Sequence, residues 1–432
     1  MLTHVLIRCL TLNELHPSKK IIGEESLTLR GKKIVLGVTA SAAIYRSLDL
    51  ARKLMRRGAE VFIVMSEESS RLIKPTLFKW ATGNEVILDI SGNIEHITLA
   101  NHCDCFVIAP ATLNTMAKIA WGISDTNVSL VAQAFLGASK PILIVPAMHI
   151  HLYKSPVMKQ IMSKLQSMNN VSILEPLIVK DKAMFPPIEY IADKVEAIIL
   201  RGEDLRNYSI LVTAGPTREY IDPIRFISNP SSGRMGVSIA AEAFYRGAYV
   251  ELIHGPLSIE VPPWITNYSV ESTEDMLERV KVQIALRKFD IIILAAAPAD
   301  FKPSESYGKK LESDRKITLE LVPTPKIAKS IREIDSEIFL VGFAAETVDT
   351  NEELMRRAKE KMEKYKFDIV VANIVGRPGL GFGSEYNEVV LIHRDGEVKK
   401  YGPSLKREIA RFILDEILRK IRFKNTNSRS SN

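Results

Sequence analysis

The 432-residue chain is 46% hydrophobic and 25% charged, an ordinary globular composition, and its length accommodates two domains that each bury a core. Its formal charge of +7 comes from basic residues interleaved with acidic ones, which argues against a nucleic-acid surface and suits small phosphorylated ligands. Cys9, Cys103 and Cys105 are too few and too unevenly spaced for a disulfide framework, which points to a reducing cytoplasm, and HCDCF lacks the second cysteine pair of a zinc site.

The opening MLTHVLIRCLTL is apolar but short, is broken by His4 and Arg8, and has no basic leader or cleavage site, so no export signal is expected. No later run is long enough to cross a bilayer. Residues 1–30 read as an N-terminal extension, with NELHPSKKI as a packing arm. From KKIVLGVTAS onward, short apolar runs alternate with amphipathic ones, the pattern of a doubly wound α/β sheet with parallel strands. KIVLGV, AEVFIVMS, CDCFVIAP and KPILIVPAM are predicted strands, with helices at IYRSLDLARKLMRRG and TLNTMAKIAWG. The Pro-containing LIVKDKAMFPPIEY and the helix IADKVEAIILRGEDL close a first domain at residues 31–206.

A second α/β series, residues 207–423, begins at YSILVTAGPTREY and continues through AYVELIHGP, FDIIILAAAPAD, IFLVGFAAET and FDIVVAN. NEVVLIHRDGEVKKYG has the alternation and Asp-Gly turn of a β-hairpin, LKREIARFILDEILRKI an apolar helical stripe, and residues 424–432 read as a flexible tail. In doubly wound sheets ligands sit beyond the carboxyl ends of the strands, so the chemistry is sought in those loops.

In the first domain GVTASAA places Gly37, Thr39 and Ser41 where amides and hydroxyls surround an anion at a helix start, or where the chain simply turns. APATLNTMAKIAWGISD and PAMHIHLY put Thr112, Asn114, Ser124 and Asp125 on the same edge. His96, in the polar stretch GNIEHITLANHCD, is the candidate for acid–base work, although a lone histidine is more often structural.

KIVLGVTAS, IEHITLANHCD, APATLNTMAKIAWGISD and PAMH, in this order over residues 31–200, resemble the phosphopantothenoylcysteine decarboxylase family of homo-oligomeric flavin-containing cysteine decarboxylases. The resemblance implies a flavodoxin-like or Rossmann-like flavoprotein domain. FMN would be held by Gly37, Thr39, Ser41, Ser66, Ala109, Thr112 and Asn114, with His96 as catalytic base and the flavin at a subunit interface within a trimer. A cysteine carboxylate has no electron sink for decarboxylation; oxidation of the thiol to a thioaldehyde by FMN creates one. Two departures stand out. His149 replaces the asparagine of the common Pro-Ala-Met-Asn pattern, and its imidazole can take over the hold on the substrate carboxylate, with His151 a bystander. The flap region VKDKAMFPPIEY has no cysteine; Lys182 is the expected proton donor, with Lys180 or water as alternatives.

In the second domain ISNPSSGRMG offers the amides of Ser231, Ser232 and Gly233 together with Arg234 to an anion, or caps a helix through Ser231 or Ser232 with Gly233 relieving the turn. GPTRE-x-IDP-x-R-x-ISNPSSG, AAAPADF, KLES, GFAAET and IVVAN, over about residues 207–420, resemble phosphopantothenate–cysteine ligase. The two halves in this order look like the bifunctional coenzyme A biosynthesis flavoproteins of bacteria and archaea.

That resemblance implies a Rossmann-like ligase domain that activates 4'-phosphopantothenate with CTP and Mg2+ to an acyl-cytidylate, which the cysteine amine attacks. Lys310, with Lys309 as competitor, would support acyl-cytidylate formation, and Asn229 would polarise the intermediate or position cysteine. Ala295, Ala296, Ala297, Asp300, Lys310, Pro325, Lys326, Ile327, Ala328, Phe343, Lys361 and Lys364 would form the nucleotide site; the second family lysine falls at Tyr365, beside Lys364. Metal ligands stay unassigned. The implied partners are small molecules and further copies of the chain, in a trimer or, with ligase dimers, a dodecamer, without nucleic acid or membrane. The alternative is another flavin-dependent decarboxylase or reductase whose second half serves only assembly.

Overall fold

The computed structural model describes residues 16–429 except 315, 376–380 and 382, with side chains to Phe423, and divides into two units at Gly202 and Glu203. Cys9 and the opening apolar stretch lie outside the described residues.

The first unit contains β1 (Lys33–Val38), β2 (Glu60–Met65), β3 (Val86–Ile87), β4 (Cys105–Ala111), β5 (Ile142–Pro146), β6 (Met148–His149), β7 (Val171–Ile173), β8 (Leu177–Val179) and β9 (Lys182–Met184). The four predicted strands are β1, β2, β4 and β5. With the edge strands β3 and β7 they form one parallel sheet in the order β3-β2-β1-β4-β5-β7, while β6, β9 and β8 form a small antiparallel sheet. All seven residues of β4 are buried, as a strand covered on both faces requires. Cys105 begins β4, Cys103 ends the helix before it, and both are buried. Burial pushes the Cys103 thiol up to about 11 and Cys105 higher, which leaves neither as a ready thiolate.

The described part of the expected extension packs on this unit. Lys19 pairs with Glu60 at 3.0 Å, and the amides of Gly23, Glu25 and Leu29 donate to the carbonyls of Met55, Arg56 and Arg57. The buried Arg57 guanidinium joins Glu25, Asp193 and Glu196 at 3.6, 2.7 and 3.3 Å, tying this segment to the last helix of the unit. That helix, Ile188–Arg201, stops at Gly202, whose φ of 67° suits glycine, and Leu205 already belongs to the second unit's core.

The second unit contains β10 (Ser209–Ala214), β11 (Arg218–Tyr220), β12 (Phe226–Ser228), β13 (Tyr249–His254), β14 (Thr266–Ser269), β15 (Ile291–Leu294), β16 (Phe301–Pro303), β17 (Leu321–Pro323), β18 (Phe339–Glu346), β19 (Ile369–Ile374), β20 (Tyr386–His393) and β21 (Val398–Leu405). Its eight-stranded sheet runs β14-β13-β10-β15-β18-β19-β20-β21; the first six strands are parallel, and β20 and β21 are the expected antiparallel hairpin. β11–β12 and β16–β17 are separate two-stranded ribbons. Helices Arg234–Tyr245 and Lys406–Arg429 share one core with the sheet. Helices Thr273–Leu286, Ile327–Ile334 and Asn351–Tyr365 share the other. The helical backbone beginning at Lys406 runs past Phe423 to Arg429. Among the described residues, no helix is long and apolar enough to cross a membrane.

Helix Arg234–Tyr245 lies against β10 because Gly236 lacks a side chain. A Cβ there would stand 2.6 Å from Ala214 Cβ and 2.9 Å from Thr213 O. Gly236→Ala should therefore cost about 1–3 kcal/mol and lower the urea midpoint, as overpacking against backbone does. Gly92→Ala, where a Cβ meets nothing within 4 Å, is the control expected to unfold like the parent.

Candidate active sites

In the first unit the strand order reverses between β1 and β4, and the loops after these strands open a cavity of about 770 Å³. Its wall includes Ser41, Thr112 and Asn114 from the predicted set, and His149 and Lys182 from the departures. Ala40, Ala42, Ala43 and Ala147 keep it wide. Tyr45, Arg46 and Phe185 also line it; no sequence pattern singled them out.

Other predicted residues stand behind the wall. Thr39 Oγ1 donates to Pro110 O at 2.7 Å and accepts from Thr112 N at 3.2 Å, so this hydroxyl locks the two loops together. Gly37 is a packing glycine: a Cβ would come within 2.8 Å of the Phe106 ring. Ala109 is buried in β4, where its carbonyl accepts from Ser47 Oγ at 2.7 Å. Ser66 follows β2 and caps helix Glu67–Leu72 by accepting from Ser69 N at 3.2 Å. Asp125, on the same edge, is taken by Lys118 at 2.9 Å, and Ser124 Oγ by Gly122 O.

The antiparallel register sets His149 directly opposite Lys182 in β6 and β9. His149 Nδ1 accepts the amide of His151 at 3.3 Å, so a neutral ring carries its proton on Nε2. His96, by contrast, lies outside the cavity wall. It occupies the first turn of helix Glu95–His102, half-buried, with Nδ1 enclosed and without a hydrogen-bond partner.

In the second unit the reversal falls between β10 and β15. The loops after these strands are stitched together: Ala297 N donates to Gly215 O at 2.9 Å and Ala296 N to Thr213 Oγ1 at 3.2 Å. Beside them lies a cavity of about 190 Å³. Ala296, Asp300, Pro325, Lys326, Ile327, Ala328, Phe343 and Lys361, all anticipated, line it. Ala295 packs against the core and Ala297 faces Asn229 instead. Lys364 is not in the wall. Tyr365 is, and Lys364 Nζ lies 5.5 Å from the centre of its ring. Lys326 pairs with Asp300 at 2.5 Å and Lys361 with Glu346 at 2.7 Å.

Asn229 reaches from the loop after β12 to that crevice, its Nδ2 donating to the carbonyls of Ala297 at 3.1 Å and Pro298 at 2.9 Å. The following turn is partly self-satisfied. Ser231 N donates to Asn229 O at 2.8 Å, Gly233 N to Ser231 Oγ at 3.3 Å and Arg234 N to Ser232 Oγ at 3.5 Å. Gly233, with φ 75°, holds the cap position expected of a serine, and the helix has no side-chain cap; the serine hydroxyls bond the amides of Gly233 and Arg234 at its entry.

Lys310, expected at the nucleotide, stands instead on an exposed loop with Tyr307, Gly308, Lys309 and Glu312, outside that cavity. The base of this loop is clasped by the β11–β12 hairpin. Leu311 N donates to Asp222 Oδ2 at 3.2 Å, Arg225 Nη1 donates to Leu311 O at 3.0 Å, and Tyr307 N donates to Ile221 O at 2.8 Å. Burial pushes the Asp222 carboxyl up, but the amides of Ile224, Arg225 and Leu311 and the Arg225 guanidinium outweigh it and hold the group below its ordinary value. Through Asp222 and Arg225 the IDP-x-R motif anchors the lysine loop, a role only the fold reveals.

Fold and crevices thus define a two-domain α/β protein of the doubly wound class, with an open crevice beside each switch point. A family model described as "Flavoprotein" matches residues 22–200, and one described as "DNA/pantothenate metabolism flavoprotein C-terminal domain" matches residues 205–421. The chain is 44% identical over 409 residues to the coenzyme A biosynthesis bifunctional protein CoaBC of Thermococcus kodakarensis, covering 93% of this chain and 99% of that one. It is 32% identical over 429 residues to the protein of the same name from Escherichia coli, covering 92% and 100%. A crystal structure of the C-terminal domain of such a protein is 37% identical with a TM-score of 0.43, covering 51% of this chain and 98% of that one. The chain belongs to the CoaBC family of coenzyme A biosynthesis bifunctional proteins. It is a bifunctional enzyme of coenzyme A biosynthesis whose first half is a flavoprotein domain, as its motif order implied.

The Asp222 clasp is testable through pH. The folded pKa lies below the unfolded one, so the contribution is complete above the unfolded value near about 4 and is lost as pH falls through the folded value. Asp222→Asn should melt below the parent at neutral pH, and the gap in Tm should close on acidification. A gap that persists unchanged at low pH would contradict the assignment.

Proposed function

We propose that the second domain couples 4'-phosphopantothenate to cysteine with CTP through an acyl-cytidylate. The first domain, with FMN, then decarboxylates 4'-phosphopantothenoylcysteine to 4'-phosphopantetheine in the cytoplasm. The observation that most supports the ligation is the seating of Asn229 on the Ala297 and Pro298 carbonyls, at the end of a cavity lined by Asp300, Lys326, Phe343 and Lys361.

Both amide hydrogens of Asn229 are turned toward protein carbonyls, so the side chain offers substrate only Oδ1, an acceptor. An acceptor suits the N–H of the cysteine amine better than a carbonyl oxyanion. Of the two roles open from the sequence, positioning the nucleophile is the one this arrangement favours. Lys326 and Lys361 exchange their carboxylate partners for phosphate oxygens, Phe343 and Tyr365 flank the base, and Lys310 brings a cation to the charge that grows as pyrophosphate leaves. Among the described residues no cluster of three His, Cys, Asp or Glu side chains could hold a metal, so Mg2+ enters as the nucleotide complex, with Asp300 the carboxylate in the cavity wall.

The first cavity suits FMN: small side chains at residues 40–43 and Ala147 leave width for a flat ring, with Ser41, Thr112, Asn114 and Arg46 as polar wall. FMN, when bound, supplies the reversible thiol oxidation that makes an electron sink for departing carbon dioxide. His149 donates from Nε2 to the substrate carboxylate, and Lys182, opposite it, supplies the proton to the product. His96, which lines no part of its own chain's cavity, completes the site of a neighbouring copy in a trimer-based assembly.

Mass spectrometry of a reaction containing 4'-phosphopantothenate, cysteine, CTP and Mg2+ should show 4'-phosphopantetheine. Lys310→Gln should cut acyl-cytidylate formation by about a hundredfold, the scale of losing one charge-stabilising donor, whereas Asn229→Asp should accumulate it; equal levels in the two variants would refute the division. His96→Asn should stop carbon dioxide release while 4'-phosphopantothenoylcysteine still forms. CTP-independent behaviour throughout would favour a second half that serves only assembly.

A further inference from the structure

Arg234 and Lys406 form a cationic pair that the nucleotide cavity does not use. Each is the first residue of a helix, Arg234–Tyr245 and Lys406–Arg429, of 12 and 24 residues. The helices are joined further along by a buried ion pair, Arg411 to Glu242 at 3.0 Å. Glu385 marks the meeting of the two starts: its carbonyl accepts from Lys406 N at 2.9 Å and its Oε1 lies 3.5 Å from Arg234 Nη1. Two positive helix ends and two cationic side chains therefore converge.

Compensation is thin. Lys406 is 5% exposed, its ammonium donates to Gly381 O at 2.8 Å, and no carboxylate pairs with it among the described residues. Burial and the charge of Arg234 lower its pKa to about 8. Arg234 Nε is enclosed without a partner, and its acidic neighbour Glu385 is 68% exposed. Buried cations persist when something neutralises them, and here the protein supplies only a carbonyl and one loosely placed carboxylate.

The position says which anion. Arg234 follows Asn229 by five residues, where the acyl group is activated. The nucleotide cavity belongs to the helices Ile327–Ile334 and Asn351–Tyr365, whose core is on one face of the sheet; Arg234 and Lys406 begin the helices whose core is on the other. An extended acyl substrate with its carboxylate at Asn229 leaves the crevice on the face opposite the nucleotide. We propose that Arg234 and Lys406 bind the phosphate monoester at the far end of the acyl substrate. This rests on the ligase reading of the second domain. The pair acts as a specificity device, separating a phosphorylated acyl substrate from its unphosphorylated counterpart, and contributes little to the bond-making step.

The test uses the full chain with Lys406→Met, Arg234→Gln and the charge-retaining Lys406→Arg. In steady-state ligation, the KM for 4'-phosphopantothenate should rise about tenfold or more in the first two variants, the scale of losing a charge-assisted contact, and recover in the third. The KM for CTP and the turnover of pantothenate, which lacks the phosphate, should match the parent. In calorimetry without nucleotide, 4'-phosphopantothenate should raise the Tm of the parent but not of Lys406→Met, while unliganded Lys406→Met should melt no lower than the parent because like-charge repulsion has been relieved. Elevated KM for CTP instead would assign the pair to the triphosphate and overturn the proposal. An unchanged KM for 4'-phosphopantothenate, or an unliganded Lys406→Met that melts well below the parent, would overturn it too. A parent stabilised by 4'-phosphopantothenate yet unable to turn it over would sink the ligase reading while leaving the site standing.

Discussion

Each unit depends on the same topological constraint. Where a parallel sheet reverses its strand order, the connections leaving two adjacent strands run to opposite faces, and no helix crosses over the ends of that pair. The gap falls between β1 and β4 in one unit and between β10 and β15 in the other. Loop backbone left there must still satisfy its polar groups. Thr39 does this in the first unit by bonding both Pro110 and Thr112; Thr213 and Gly215 do it in the second through Ala296 and Ala297. The Thr39 hydroxyl, expected at an anion, is in part the fastener that holds the crevice open, and the groups that line the cavity stand one residue or one strand away.

In the ligase half one small ribbon links the chemical groups. The strand that ends at Ser228 leads into Asn229, while the turn before it, through Asp222 and Arg225, clasps Leu311 next to Lys310. The side chain that would handle the nucleophile and the cation that would handle the leaving charge are therefore referred to a single β-hairpin. The loop bearing Lys310 can stay exposed and adaptable at its tip because its base is anchored on a buried carboxylate. A second economy appears in the cavity beside it: Lys326 rests on the exposed Asp300, a surface pair that costs little to exchange, whereas Lys361 rests on the largely buried Glu346, which Arg357 also holds at 3.1 Å. Lys406 differs because burial leaves it only the Gly381 carbonyl, while Arg234 beside it has the exposed Glu385 at 3.5 Å.

How much of this was legible depended on range along the chain. Long apolar strands such as CFVIAPA and helices with a clear stripe were readable because their signal repeats within a few residues. The strands Val86–Ile87, Val171–Ile173 and the β6–β8–β9 set were not, because two or three residues carry no period. Most residues expected at the nucleotide site line one cavity, because they arrive as short contiguous runs. The motifs could not tell Lys364 from Tyr365: helical phase decides which of two neighbours faces the cavity, and a single substitution against a family pattern does not reveal the phase.

By itself the sequence determined the class of both sheets, the carboxyl-edge location of the sites, the kinship with bifunctional coenzyme A biosynthesis enzymes, and the residues His149, Lys182, Asn229 and Asp300 as ones to watch. Only the tertiary structure decided that His149 faces Lys182, that Asn229 presents an acceptor, that Asp222 holds the Lys310 loop and that Lys406 comes to rest beside Arg234, more than 170 positions earlier. The reason is physical. Local pattern specifies which face of a strand or helix is buried, whereas the pairing of two side chains far apart in the chain is set by strand order, register and the closeness of packing.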